Sequence, residues 1–122
     1  MNPKCVLFLM FLCLAEAMCA QPKKWTQIED ADEHFDNRNY LFAIEVYLKE
    51  LKKDPDNMKI KFRLGVSYLY TRVSREEAIP YLEECSRSEK AEPEVWFYLG
   101  RAYHLSNRIK DAKTSYQKFI AL

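Results

Sequence analysis

The stretches Leu64-Gly65-Val66-Ser67-Tyr68 and Leu99-Gly100-Arg101-Ala102-Tyr103 lie 35 residues apart and carry both glycines of the chain in the same slot. The register continues beyond them, with Ala78 preceding Ala112 by 34 residues. A weaker copy lies upstream: Ala31 stands in the glycine slot, Ala43 falls 35 residues before Ala78, and Asp54-Pro55 closes the unit. A fixed period of this size marks a repeat architecture, in which each unit is one supersecondary element that buries its apolar face against the next.

Each unit reads as two amphipathic helices, over 25–37 and 40–53, then 57–70 and 75–89, then 93–105 and 108–122. In the helix from Tyr40, apolar Leu41, Ile44, Leu48 and Leu51 recur at three- and four-residue steps, opposite Glu45, Lys49 and Lys52. Asp54-Pro55-Asp56-Asn57 breaks and restarts the chain, Ser74 with Glu77 three residues later reads as a capping box, and Pro93 suits a first helical position. Pro80 is the discord. Inside a regular helix it would delete a backbone hydrogen bond and clash with the preceding turn, at about 3 kcal/mol, so the sequence predicts a kink or a late helix start there. No segment alternates with period two for long enough to make a strand, and the expected class is all-α.

The chain has 122 residues, 48% of them hydrophobic and 14% aromatic, which is enough apolar material for one packed domain. Nineteen Lys and Arg against 18 Asp and Glu leave a formal charge of +1, without the basic footprint of a nucleic-acid binder or of a protein bound to an anionic membrane. Two glycines 35 residues apart exclude a Walker loop and a three-glycine dinucleotide fingerprint. His34 and His104 are isolated, and no CxxC, HxxxH or HExxH spacing offers a metal or haem site, so neither metal nor cofactor is expected.

Lys4 precedes an apolar run of about eleven residues, 5–15, followed by the small residues Ala17, Cys19 and Ala20 and then polar Gln21-Pro22-Lys23-Lys24. This reads as a secretory signal peptide over 1–20, too short for a transmembrane helix of about 20 apolar residues. Lipoprotein processing at Cys13 or Cys19 is the competing reading, although neither cysteine follows the Leu-small-small approach that lipidation favours. Cleavage after Ala20 leaves residues 21–122 with Cys85 alone, either a buried small hydrophobe or an intermolecular thiol. Its spacing from Ala78 and Leu82 favours burial.

Trp96-x-x-Leu99-Gly100-x-x-Tyr103, followed by Ala112 and Tyr116, resembles the tetratricopeptide repeat consensus. The second copy resembles it at Leu64, Gly65, Tyr68, Ala78 and Leu82, with Lys61 in place of the Trp and one inserted residue in Thr71-Arg72-Val73; the first keeps Ala31, Ala43, Tyr47 and Pro55. The resemblance implies a right-handed superhelical stack of three helix-turn-helix repeats, about 24–57, 58–92 and 93–122. The wording of the second and third copies is also similar to the amino-terminal repeats of exported bacterial envelope proteins, which often precede an OmpA-like peptidoglycan-binding domain. That likeness implies a periplasmic or outer-membrane-associated scaffold, with a secreted protein as the alternative.

In tetratricopeptide proteins the first helix of each pair lines a concave face. By that resemblance the outward residues here are Asp32, Phe35, Lys59, Phe62, Arg63, Tyr70, Phe97, Tyr98, Arg101 and His104. Aromatic walls with three basic residues suit a peptide or protein segment that carries an acid. Lys59 and Arg63 could supply the basic half of a carboxylate clamp, but Asp32 and Val66 stand where the family's clamp has Asn. Without a preorganised nucleophile and base, the expected function is a non-enzymatic interaction module; an accessory domain of a lumenal or secreted enzyme is the alternative. Tyr116, Phe119, Ile120 and Leu122 cluster within two turns, so end-to-end self-association, a partner at that end or a further carboxyl-terminal domain is expected.

Overall fold

The computed structural model describes residues 26–122; the signal-peptide segment, its lipoprotein alternative and Trp25 lie outside the described residues. Among these residues the chain is all-α: α1 (Gln27–Asp36), α2 (Tyr40–Lys53), α3 (Met58–Tyr70), a 3-10 turn (Arg75–Glu77), α4 (Ala78–Ser86), α5 (Glu94–Leu105) and α6 (Ile109–Ala121). Each helix packs on its neighbours in sequence, and α3 also touches α5. None of these helices is long and apolar enough to cross a membrane.

Local chemistry explains the boundaries. Thr26 caps α1 reciprocally: its hydroxyl accepts from the Glu29 amide at 3.2 Å, and Glu29 Oε2 accepts from the Thr26 amide at 2.9 Å. Asn57 opens α3 by accepting from the Ile60 amide at 3.1 Å. The turns after α1 and α5 are built alike. Arg38 and Asn107 are left-handed (φ 62° and 59°), and the following amides, Asn39 and Arg108, each donate at 2.8 Å to a carbonyl five residues back, His34 and Tyr103.

The middle unit departs from this plan. The capping box expected at Ser74 does not form: Ser74 is left-handed (φ 57°) and makes no side-chain cap, because a capping hydroxyl needs extended backbone at that residue. Instead Thr71 Oγ1 donates to the Tyr68 and Val73 carbonyls and ties down the longer loop. The 3-10 turn then delays the helix until Ala78, so Pro80 falls third in α4, where a helical N–H has no intrahelical acceptor to lose. The late start expected from Pro80 is what the chain adopts. The helix expected over 75–89 is correspondingly short and ends at Ser86.

Two clusters form the core. Ala31, Ala43, Tyr47, Ile60 and Leu64 join the first helix pair to the second. Leu82, Leu99, Ala102 and Tyr103, with Val66, Leu69, Ala78 and Ala112, join the second to the third. Phe35 and Tyr68 pack on both clusters. Small residues set the helix spacing: a β-carbon on Gly65 would meet Leu82 Cγ at 2.6 Å, and one on Gly100 would meet the Tyr116 ring at 2.8 Å. Where the third copy has Trp96, half-buried under Lys118 Nζ 4.1 Å from its ring, the second has Lys61, which is buried and pairs with Glu84.

Candidate functional site

Nine of the ten candidate residues fall into two neighbouring groups. The first gathers between α1 and α3. Asp32 accepts from the Tyr47 hydroxyl at 2.5 Å and from Lys59 Nζ at 2.8 Å, and its other near cation is Arg63, with Nη1 3.5 Å away. Arg63 Nη1 is also 3.5 Å from Asp36, and its guanidinium lies 4.7 Å from the Phe35 ring centroid. Burial pushes the Asp32 carboxyl up, but the bonds from Lys59 and Tyr47 and the nearby Arg63 charge together outweigh it and hold the carboxyl below its ordinary range. Tyr47, fully buried, is pushed up by burial and then by its bond to Asp32, and stays a neutral donor.

The second group is aromatic. Phe62 meets Tyr98 edge-on at 5.7 Å, Tyr98 meets Tyr70 at 6.5 Å, and Phe97 touches Tyr98 at 5.3 Å. Arg101 covers the Tyr70 ring at 4.9 Å and donates from Nη1 to the Tyr70 hydroxyl at 3.0 Å. Tyr40, which sequence reasoning did not single out, bridges the two groups by stacking on Tyr70 at 5.3 Å while its edge meets Phe35 at 5.7 Å. Phe119 extends the run through Phe97 at 5.6 Å. Rings from α1, α2, α3, α5 and α6 thus form one continuous aromatic surface.

His104 stands apart: it is exposed near the end of α5 and lines a different hollow with Ile109 and Tyr116. The three basic candidates are also not equivalent. Lys59 and Arg63 already face carboxylates, whereas Arg101 is held by a tyrosine and keeps its positive charge uncompensated by any of these bonds. The Asp32 carboxylate therefore fills the place that a ligand's acid would need for a Lys59–Arg63 clamp.

Beside the aromatic surface lies a hollow of about 470 Å³, walled by Met58, Phe62, Cys85, Val95 and Tyr98 and rimmed by Lys59 and Lys90. The Cys85 thiol is buried and donates to the Met58 carbonyl at 3.5 Å. Burial, with Glu84 beside it, pushes this thiol up to about 11, so it is not a thiolate nucleophile at neutral pH. Among the described residues no three His, Cys, Asp or Glu side chains converge where a metal ion could be held. Compared with known protein families and with curated proteins, the chain matches none.

Proposed function

We propose that this chain is a non-enzymatic protein-interaction module. In this reading three tetratricopeptide-like helix pairs form a right-handed stack that holds a peptide or protein segment across α1, α3 and α5. The observation that carries it is the continuous aromatic surface from Phe35 through Tyr40, Tyr70 and Tyr98 to Phe97, with Arg101 laid over Tyr70. Large, rigid, half-exposed rings provide contact area at low conformational cost, and an arginine among them orients an acidic or carbonyl group. The hollow beside Phe62 and Tyr98 is wide enough to take an apolar side chain of the same segment. The apolar run 5–15 ahead of Ala17 and Ala20 supports export, and the likeness to envelope proteins favours the periplasm as the destination.

Selection of peptides from a random display library against the chain tests the reading. The expected binders carry an acid next to an apolar or aromatic residue, bind the native chain, and lose at least tenfold in affinity on Arg101→Glu and on Tyr98→Ala. Binders unaffected by both substitutions would move the site to another face.

A further inference from the structure

The junction between the second and third helix pairs is hollow where the junction between the first and second is filled. At the filled one, Leu48 and Leu51 of α2 and Tyr81 of α4 belong to one cluster with Leu64 and Tyr68 of α3. The Tyr81 ring there lies parallel to that of Tyr68, 5° apart in plane and 6.0 Å between centroids. The repeat register, 35 residues from α2 to α4 and from α3 to α5 and 34 from α4 to α6, carries these five positions to Glu83, Ser86, Ser115, Leu99 and Tyr103. All five line an open hollow of about 620 Å³ held between α4, α5 and α6. The leucine and tyrosine of the repeat are kept, but a serine stands where the covering ring stood.

The charges differ as well. Lys61 and Glu84, which pair at the filled junction, become Trp96 and Lys118, and the Lys118 ammonium lies over the Trp96 ring without a carboxylate. Arg87, on the opposite wall, has no carboxylate partner among the described residues either. The two acids that line the hollow are already engaged. Glu83 Oε1 accepts from the Tyr103 hydroxyl at 2.6 Å and lies 3.8 Å from Arg108, whose Nε donates to Asp111 at 2.7 Å. Counting Arg108, three cations face two carboxylates, an excess of one positive charge that a monoanion balances. Ser115, only 4% exposed, has no hydrogen-bond partner among the described residues. Leaving such a hydroxyl unpaired costs free energy that a ligand able to bond it recovers.

We infer that this hollow binds a small aromatic carboxylate. Its ring takes the place that Tyr81 fills in the preceding junction, against Tyr103 and Leu99. Its carboxylate accepts from the Ser115 hydroxyl and pairs with Lys118, one turn along α6, and with Arg87 across from it. The hollow shares no lining residue with the aromatic surface across α1, α3 and α5, so the two sites stand or fall separately.

Phenylacetate is the probe, and the indole N–H resonance of Trp96 in the intact chain, assigned with the help of Trp25→Phe, is the reporter. Titration is expected to shift that resonance saturably. Phenylacetamide, which keeps the ring and loses the charge, and acetate, which keeps the charge and loses the ring, should each bind at least tenfold more weakly. Ser115→Tyr restores the residue of the filled junction and should abolish the shift while the melting temperature is held or raised. Arg87→Glu, at an exposed position, should cost at least tenfold in affinity with helicity unchanged by circular dichroism, and it tests the site even if the tyrosine variant fails to fold. No saturable shift with phenylacetate, equal binding of phenylacetamide, or undiminished binding to either folded variant would each overturn the inference.

Discussion

Gly65 and Leu82 approach so closely that a β-carbon on the glycine would overlap the leucine's branch point, 2.6 Å away. Leu82 is fully buried and has nowhere to move. Tyr116, which faces Gly100 in the same way, is only half-buried and can swing outward. Gly65→Ala is therefore expected to destabilise by about 1–3 kcal/mol, despite alanine's better helix propensity, and Gly100→Ala by less. Thermal melts resolve the two, since about 1 kcal/mol moves the Tm of a domain this size by roughly 4–8 °C. Equal melting temperatures would remove the role assigned to Leu82.

Lys61 is buried at 5% exposure while its partner Glu84 reaches solvent. Breaking such a pair from the acid side strands a buried ammonium, whereas replacing the lysine by an apolar residue removes the desolvation cost. Glu84→Ala should lower stability by on the order of 1–3 kcal/mol, and Lys61→Met should be neutral or stabilising. Urea denaturation of both variants measures the difference; a loss on Lys61→Met as large as on Glu84→Ala would refute it.

The Asp32 carboxyl titrates below its ordinary value of 3.8 in the folded chain. A depressed carboxyl contributes stability that is complete above the unfolded value and is lost as pH falls from there through the folded one. The stability gap between the native chain and Asp32→Asn should accordingly be constant near neutrality and shrink below about pH 4. A gap that stays constant down to pH 2 would mean that Asp32 is not held by Lys59, Tyr47 and Arg63 in solution.

Cys85 should react with a thiol reagent at pH 8 only as fast as the chain opens, because its thiol is buried and raised to about 11. Adding denaturant below the unfolding midpoint should speed labelling in step with the loss of stability. Immediate labelling of the native chain would place the thiol at the surface.

The period, the helix pairing and the buried Cys85 were legible in the sequence because small residues at a fixed spacing report helix contact directly. Ser74 misled because its spacing to Glu77 matches a capping box, while the loop inserted before it turns its backbone left-handed. The working cap, Thr26 with Glu29, has the same spacing and went unread. At the candidate site the aromatic positions of α3 and α5 were legible as outward residues of a first helix. The pairing of Asp32 with Lys59 and Tyr47 was not, because it joins residues 27 and 15 positions apart whose meeting depends on how the helices cross. Tyr40 escaped for a related reason: it opens a second helix, where no groove residue is expected, yet its ring turns toward Tyr70.

Because each helix packs mainly on its neighbours in sequence, most native contacts join residues close along the chain. Little loop entropy opposes their formation, and helical proteins of such low contact order fold within microseconds to milliseconds. Each pair can begin to order as soon as its second helix has been synthesised, well before the last residues are made. The same geometry makes unfolding gradual rather than uniform: amide exchange should be slowest around Leu64 and Leu82, in the middle of the described helices, and faster in α6, which among the described residues packs on α5 alone.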